Sequence, residues 1–268
     1  MFYDTHAHLD YPDFSGEIEA IVERAQSAGI TRIISIGTDL ESSRKAIALA
    51  DRFQNVFAVV GWHPNDAAKA PDDLRSRLKE LVQHPKVVAI GETGLDYFRL
   101  PPSQSETAAS KKQQERIFLE QLEIAAEFGL NCVIHQRDLS GSNQCFVDLL
   151  RLLEPYRARV RTQFHCFAGT PTDMQQVLGM NGLVSFTGIL TFKNGQNIRD
   201  TLAAVPLGKF MLETDCPFLA PVPYRGKRCE PAYVKEIAEV AAQVKQCTLQ
   251  ELSAATCAAA HEFFPKLQ

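Results

Sequence analysis

Two histidines separated by one residue follow the first apolar segment of the chain, in the run Asp4-Thr5-His6-Ala7-His8. Side chains alternate between the two faces of an extended strand, so residues two apart project from the same face. His6 and His8 can therefore direct two imidazoles toward one point, as a divalent metal requires of its first two ligands. The pair alone fits two exposed histidines equally well, so further ligands elsewhere in the chain have to decide between these interpretations.

Histidines and carboxylates also follow apolar segments at later points in the chain. Five of the seven histidines lie at the carboxyl ends of predicted strands, whereas His84 and His261 lie near helix termini and are interpreted as surface or capping residues. This concentration at strand ends predicts one shared site rather than separate, unrelated histidines. After His6 and His8, the residues that end or follow predicted strands are His63, Glu92, His135, His165 and Asp215.

Apolar, β-branched segments alternate along the chain with amphipathic ones, and this alternation predicts strands that are each followed by a helix. Eight such units make an α/β fold of the (β/α)8 or TIM-barrel class, whose active sites lie at the carboxyl ends of the strands. An open, doubly wound sheet is the alternative, because strand order cannot be read from sequence. The predicted strands are Phe2–Asp4, Arg32–Ile36, Val56–Val60, Val87–Ile90, Cys132–Ile134, Val160–Phe164, Leu183–Phe186 and Phe210–Leu212.

No linker or repeat divides the chain, so we predict a single TIM-barrel hydrolase domain over residues 1–268. Helices predicted at Ala232–Lys245 and Leu249–Ala260 are expected to pack outside the barrel. The segment Phe98–Ser110 is polar, contains two prolines and precedes a helix predicted at Lys111–Phe128. It predicts a mobile loop over one end of the barrel, with an ordinary disordered insertion as the alternative.

Four imidazoles and two carboxylates exceed what one tetrahedral zinc ion uses, so we predict two divalent cations that share a carboxylate. Glu92 is the predicted bridge, since its strand lies between those of the other ligands around the ring. Two such cations can stabilise both the attacking and the leaving oxygen and can deprotonate water near neutral pH. Asp215 is the predicted general base, which makes Glu92 and Asp215 the predicted catalytic residues. One cation is assigned to His6, His8, Glu92 and Asp215, and the other to Glu92, His135 and His165.

The identity of the two cations stays open between Mg, Zn and Mn. Mixed nitrogen and oxygen donors suit Zn, Mn, Fe or Ni, and less obviously Mg, which prefers oxygen-rich sites. Cys166 and Cys216 adjoin predicted ligands. Strand alternation argues against their thiols as ligands, because neighbouring residues project from opposite faces.

Five motifs occur in order along nearly the whole chain: Asp4-Thr5-His6-x-His8, Gly91-Glu92-x-Gly94-Leu95-Asp96, Ile134-His135-x-Arg137-Asp138, His165-Cys166-Phe167-x-Gly169 and Glu213-Thr214-Asp215-x-Pro217. Together they resemble the TatD-type metal-dependent deoxyribonucleases. The resemblance implies a TIM barrel, a dinuclear metal centre and hydrolysis of phosphodiester bonds in DNA, in the manner of a 3′–5′ exonuclease. The ligand assignments carry over position by position.

The chain departs from the family pattern at a few places. Cys229 precedes Glu230 where the family usually has asparagine, and the segment 255–260 lacks the asparagine usual there. The Phe98–Ser110 segment is also longer than is typical. These departures leave the predicted ligands intact and leave the substrate preference open.

A phosphodiesterase needs cations or hydrogen-bond donors beside its metals to hold the flanking phosphate. Arg137 lies two residues beyond His135, and the run 224–228 places three cations after the eighth predicted strand, with a solvated charge run as the alternative. We expect His63 to contact a phosphate or the nucleophile rather than a metal. The residues predicted to contact the substrate or to support the ligands are His63, Asp96, Arg137, Arg228 and Glu230, and the aromatic residues that could stack a base are Trp62, Tyr97, Phe98 and Phe167.

Three functions compete at this point: a nuclease acting on DNA ends, which we favour, a hydrolase of another ester or amide such as aminoacyl-tRNA, and a binding protein that kept a metal site. Many amidohydrolases bridge their metals with a carboxylated lysine on the fourth strand. Here that strand offers Glu92 and no lysine between Val87 and Asp96. This disfavours the typical amidohydrolase, but not a deacylase of aminoacyl-tRNA on a similar scaffold. A non-catalytic role is disfavoured while every ligand and Asp215 are present.

The composition is that of an ordinary globular protein, with 45% hydrophobic and 22% charged residues. A net charge of -4 argues against a broadly basic surface that coats nucleic acid. Seven cysteines without a Cys-x-x-Cys pair predict reduced thiols. Apolar runs stay below the about 18 residues of a membrane span, and a strand predicted from residue 2 leaves no room for a signal peptide. We therefore expect a cytoplasmic protein with no membrane association and no obligate protein partner.

Overall fold

Eight parallel strands follow one another around a ring in chain order in the computed structural model, which describes residues 1–267. The ring closes between its first and last strands, because Ala7 pairs with Cys216 and the Asp215 amide donates to the His6 carbonyl at 2.9 Å. This closure confirms the (β/α)8 barrel and excludes the open sheet. The strands are β1 (Phe2–Ala7), β2 (Ile30–Ile36), β3 (Val56–Val60), β4 (Val87–Asp96), β5 (Asn131–Arg137), β6 (Thr162–Phe164), β7 (Leu183–Phe186) and β8 (Phe210–Leu212).

The helices between the strands begin at recognisable capping residues. At the predicted cap Thr170, the hydroxyl accepts from the Asp173 amide, and Asp39 caps the second helix through the Ser42 amide in the same way. Glycine at 129 ends the longest helix in the left-handed region, at φ 64°. The helices are α1 (Ile18–Ser27), α2 (Leu40–Arg52), α3 (Leu74–Leu81), α4 (Gln104–Phe128), α5 (Gln144–Leu153), α6 (Pro171–Gly179), α7 (Gln196–Ala204), α8 (Val234–Lys245) and α9 (Leu249–Phe263).

Alternation along the strands divides the buried side chains into two layers. On β2, Ile33 belongs to the layer between strands and helices, whereas Ile34 and Ile36 belong to the cluster inside the barrel. Val133 and Met211 lie in that same inner cluster. Burial of each such side chain contributes about 1.5–3 kcal/mol, so the interior is a packed support for the residues at the carboxyl ends of the strands.

Three strands continue further than the sequence predicts. β1 extends to Ala7, β4 to Asp96 and β5 to Arg137, so His6, Glu92 and His135 lie within strands rather than after them. The β4–β5 pairing continues through Gly94 and His135 after an irregularity between Ile90 and Thr93. The apolar pattern that predicts β4 ends at Ile90, which is why its polar continuation was missed.

The prediction of a loop over Phe98–Ser110 is wrong for its second half. Ser103 caps α4 by accepting from the Glu106 amide, and the helix runs from Gln104 to Phe128. Its first turns are polar because they lie at the surface, so the apolar periodicity that reveals the rest of the helix is absent there. The connection after β4 is therefore short.

The two last helices differ in where they pack. α8 lies outside the barrel against α7, as we expect from the sequence. The end of α9 instead covers the amino-terminal end of the barrel, where Phe263 and Phe264 join the inner cluster and the Asn131 side chain donates to the Phe263 carbonyl. Within residues 1–267, no helix has both the length and the hydropathy needed to cross a membrane.

Candidate metal centre

The Glu92 carboxylate lies at the centre of the histidines that the sequence singles out, and only 3% of the residue is exposed. Its Oε2 lies 3.5 Å from His6 Nε2 and 3.7 Å from His8 Nε2. Its Oε1 lies 2.7 Å from His135 Nδ1 and 2.8 Å from His165 Nε2. The two oxygens of one carboxylate thus face two different pairs of imidazoles.

Asp215 brings a second carboxylate to the β1 side of this cluster. Its Oδ1 lies 3.4 Å from His8 Nε2 and 3.7 Å from His6 Nε2. The residue sits just after β8 with φ 57°, in a left-handed conformation that aspartate tolerates better than most side chains. The bond from its amide to the His6 carbonyl fixes it beside β1.

The structure brings together all six predicted ligands. Together with His63, which is not a predicted ligand, they form three overlapping groups, and within each group all donor atoms lie within 4.8 Å of one another: His6, His8 and Asp215; His6, Glu92 and His165; and His63, Glu92 and His135. His6 and His165 stack with ring centroids 4.1 Å apart, so the two predicted ligand sets adjoin each other. The assignment of each residue to one cation stays a prediction.

The hydrogen bonds of two histidines leave one ring nitrogen free for the cluster. His8 Nδ1 donates to the Ile36 carbonyl at 3.3 Å, so Nε2 is the ring nitrogen that faces Asp215 and Glu92. His135 Nε2 donates to Asp96 Oδ2 at 3.0 Å, which leaves Nδ1 facing Glu92. Carbonyl or carboxylate partners of this kind orient metal-bound histidines. Buried imidazole nitrogens converging on two carboxylates form a donor set that fits divalent cations.

In His63 the ring nitrogen that faces the cluster is the protonated one. Its Nδ1 accepts from the Asn65 amide at 3.1 Å, so in the neutral ring the proton is on Nε2, which lies 3.4 Å from Glu92 Oε1. Burial lowers the pKa of His63 and keeps the ring neutral. An N–H at this position suits donation to an oxygen atom better than binding of a cation, and the substrate contact expected of His63 stays a prediction.

Without metal, protons take the place of cations in this cluster. Burial lowers the pKa of His8, but Asp215 and Glu92 outweigh it and raise that pKa to about 9. Burial also lowers the pKa of His135, but Asp96 and Glu92 outweigh it and raise that pKa to about 9. Burial raises the pKa of Glu92, yet the surrounding histidines, with His165 and His63 foremost, hold it well below its usual range. The cluster therefore attracts positive charge.

Metal binding is expected to release the protons on His8 and His135, because a cation needs neutral imidazoles. Both folded-state pKa values of about 9 lie above the ordinary value of about 6.5. The stability these protons provide to the metal-free protein is thus complete below about pH 6.5 and lost as the pH rises through about 9. We expect the dissociation constant for Zn²⁺ or Mn²⁺ to fall between those two pH values, with proton release measurable by calorimetry in buffers of different ionisation enthalpy.

The variant His84→Gln serves as the control for this titration, since His84 pairs with Asp51 outside the cluster. It is expected to keep the pH dependence of the wild-type protein. Binding with the same affinity at every pH and without proton release would contradict the assignment of these histidines as ligands.

Asp96→Asn is expected to weaken metal binding by roughly 10- to 100-fold, the usual cost of losing the partner that orients a metal-bound histidine. Asparagine keeps an oxygen for the Phe98 and Arg99 amides, which Asp96 Oδ1 now accepts at 2.9 and 3.2 Å. The change therefore acts chiefly on the bond to His135. Competition with a metallochromic chelator measures the affinity, and an unchanged affinity would remove Asp96 from this role.

Two predicted substrate residues form ion pairs at α1. Arg228 Nη2 lies 3.0 Å from Oε2 of Glu17, the residue before α1, and Glu230 Oε2 accepts from Arg24 Nη2 at 2.6 Å. These pairs fasten the segment after β8 to the start of α1 and to α1 itself, and the substrate contacts of Arg228 and Glu230 stay predictions. The predicted residue Arg137 lies over the Phe98 ring, with Cζ 3.9 Å from its centroid.

Buried polar groups that the sequence patterns did not predict to be functional lie below the ligands. The Asp4 carboxylate accepts from the Thr214 amide at 3.0 Å and from its hydroxyl at 2.6 Å, which ties β1 to the segment after β8. Glu213 accepts from the Cys166 amide at 2.6 Å and from the Gln163 side chain at 3.0 Å. The available signal was an acidic residue directly after the apolar β8, since buried carboxylates need dedicated donors.

A parallel (β/α)8 barrel with a buried cluster of histidines and carboxylates at the carboxyl ends of its strands defines a metal-dependent hydrolase. Within that class the chain belongs to the TatD family, because the family model described as TatD related DNase matches residues 3–265. This bears out the resemblance in its motifs.

Individual relatives are similar to this chain over most of its length. It is 36% identical over 265 residues to the uncharacterized metal-dependent hydrolase YabD of Bacillus subtilis, covering 98% of this chain and 99% of the relative. It is 34% identical over 241 residues to the 3′-5′ ssDNA/RNA exonuclease TatD of Enterobacter lignolyticus, with 88% of each covered. The crystal structure of YjjV, a TatD homolog from Escherichia coli, superposes with a TM-score of 0.88 at 27% identity and covers 98% of both chains.

Proposed function

We propose that this protein is a dinuclear metal-dependent nuclease that hydrolyses phosphodiester bonds of single-stranded DNA from an end. The observation that carries the proposal is the position of Glu92, whose two oxygens face two different pairs of imidazoles. A carboxylate in that position can bridge two cations. The name of the Enterobacter relative, a 3′-5′ ssDNA/RNA exonuclease, supports the choice of substrate.

Cations bound by the six ligands would supply Lewis-acid activation of the phosphodiester. The chain itself supplies a proton acceptor and a proton donor. Burial raises the pKa of Asp215, but His8 and His6 outweigh it and lower that pKa, so the carboxylate is ionised at neutral pH. Its side chain is 16% exposed, against 4% for Glu92, which makes Asp215 the carboxylate able to reach an attacking water. His63 Nε2–H can donate to a non-bridging phosphate oxygen.

The test compares 5′-labelled single-stranded DNA, double-stranded DNA, RNA and aminoacyl-tRNA as substrates, each with Mg²⁺, Mn²⁺ and Zn²⁺. We expect a ladder of products that shortens progressively on single-stranded DNA, since a 5′ label reports removal of nucleotides from the 3′ end. Release of the amino acid from aminoacyl-tRNA without cleavage of any oligonucleotide would overturn the nuclease and leave a deacylase in its place.

A further inference from the structure

Aromatic side chains flank the candidate metal centre on opposite sides of the barrel mouth. Tyr11 and Phe218 follow β1 and β8, and Phe98 follows β4 beside Arg137 at the end of β5. In a closed ring of eight strands in chain order, the β8–β1 and β4–β5 edges lie across from each other. Phe98 and Phe218 are each 47% exposed, although large apolar side chains are usually buried.

The Tyr11–Phe218 pair adjoins the ligands on the β1 side. The two rings meet edge to face, with centroids 5.5 Å apart and an interplanar angle of 89°. Their centroids lie 5.2 and 6.5 Å from that of His8. Any group that stacks on the exposed Phe218 ring therefore lies next to the His8–Asp215 side of the cluster.

The Phe98–Arg137 pair adjoins the ligands on the other side. Asp96, which holds His135, also accepts from the Phe98 amide at 2.9 Å, so one carboxylate fixes both a ligand and the backbone of the aromatic residue. The Arg137 guanidinium lies over the Phe98 ring. A stacked guanidinium keeps its N–H edges free, so it can bind a phosphate while its face packs on an aromatic ring.

A cavity of about 650 Å³ opens beside this second pair. It lies between the segments that follow β5 and β6, and Arg137, Phe167 and Thr170 are among its lining residues. Its volume is within the about 300–1,000 Å³ of small-molecule sites. Because His135 lies on β5 and His165 directly follows β6, a nucleoside in the cavity would be attached to a phosphate close to these ligands.

We propose that a single strand of nucleic acid crosses the barrel mouth between these two pairs, with the scissile phosphate at the candidate metal centre between them. One flanking base stacks on Phe218, the other stacks at Phe98, and Arg137 contacts the phosphate on its own side. The proposal rests on the nuclease function proposed above and specifies how the site selects its substrate. Only unpaired bases can use separate stacking surfaces, since the faces of paired bases are covered within a duplex.

The test combines Phe98→Ala and Phe218→Ala with oligonucleotides that lack a single base on one or the other side of the cleaved bond. Stacking on an aromatic side chain is worth about tenfold or more per base, so each variant is expected to lower kcat/KM on intact single-stranded DNA by about tenfold. Removal of the partner base should abolish that loss. The two variants should respond to abasic positions on opposite sides of the cleaved bond.

Leu207→Ala is the matched control, because Leu207 is 44% exposed but precedes β8 at the other end of the barrel. It is expected to behave as wild type. Two results would refute stacking on both sides of the centre while leaving the nuclease function intact, provided that the wild-type protein cleaves oligonucleotides. In the first, both phenylalanine variants match this control. In the second, they lose the same activity at every abasic position. If the wild-type protein cleaves no oligonucleotide, the proposed function itself fails. Phe98→Trp and Phe218→Trp should retain activity, which separates stacking from a loss of folding.

Discussion

Glu92→Ala is expected to lower kcat/KM on single-stranded DNA on the order of 1,000-fold, in proportion to the several kcal/mol that metal ions contribute to such transition states. Glu92 is buried among five histidines, with Oε1 and Oε2 shared between them. Its removal takes away the carboxylate that we propose bridges two cations and leaves adjacent imidazoles without its counter-charge. Steady-state kinetics and metal content by mass spectrometry measure the effect, and we expect fewer than two cations per chain.

Glu80→Ala provides the comparison for this variant, because Glu80 is an exposed glutamate on α3. It should retain full activity and metal content. Equal activity of Glu92→Ala and the wild-type protein would be incompatible with a dinuclear centre at this position.

Asp215→Asn is expected to reduce kcat by about 10²- to 10⁴-fold, the range for loss of a positioned general base. Asparagine keeps a side-chain oxygen toward His6 and His8 but cannot accept a proton from water. Metal content should therefore fall much less than activity. Single-turnover cleavage measured over a range of pH separates this effect from slow product release, because the acidic limb set by the Asp215 carboxylate should disappear.

Asp72→Asn is the control variant for this comparison, since Asp72 is exposed in the connection before α3. If Asp215→Asn instead loses metal and activity in the same proportion, Asp215 serves as a ligand without acting as the base.

The sequence was sufficient to predict the barrel and the residues that converge in it. Parallel strands end at one face, so histidines that follow separate apolar segments must meet there once the barrel closes. This reasoning placed His6, His8, Glu92 and Asp215 together without knowledge of any distance. The helix cap at Thr170 was also predictable, because the residues involved are local in sequence.

Contacts between distant segments could not be predicted in the same way. Nothing near Arg228 and Glu230 in the sequence indicates their partners Glu17 and Arg24, which lie more than 200 residues away along the chain. The sequence did not indicate that Phe218 is exposed, since an aromatic residue after a strand is usually part of the core. Its exposure beside His8 follows from the path of the segment after β8.

The closure of the barrel between β1 and the segment after β8 has a consequence for the synthesis of the chain. His6 and His8 leave the ribosome early, whereas Asp215, which lies within 4 Å of both, follows some 200 residues later. A nascent chain therefore carries half of this candidate coordination sphere while the residues between His8 and Asp215 are being made. Two imidazoles alone hold a cation weakly compared with a complete set of ligands. We therefore expect the ligand set that contains His6 and His8 to bind a cation tightly only after the last strand docks against the first.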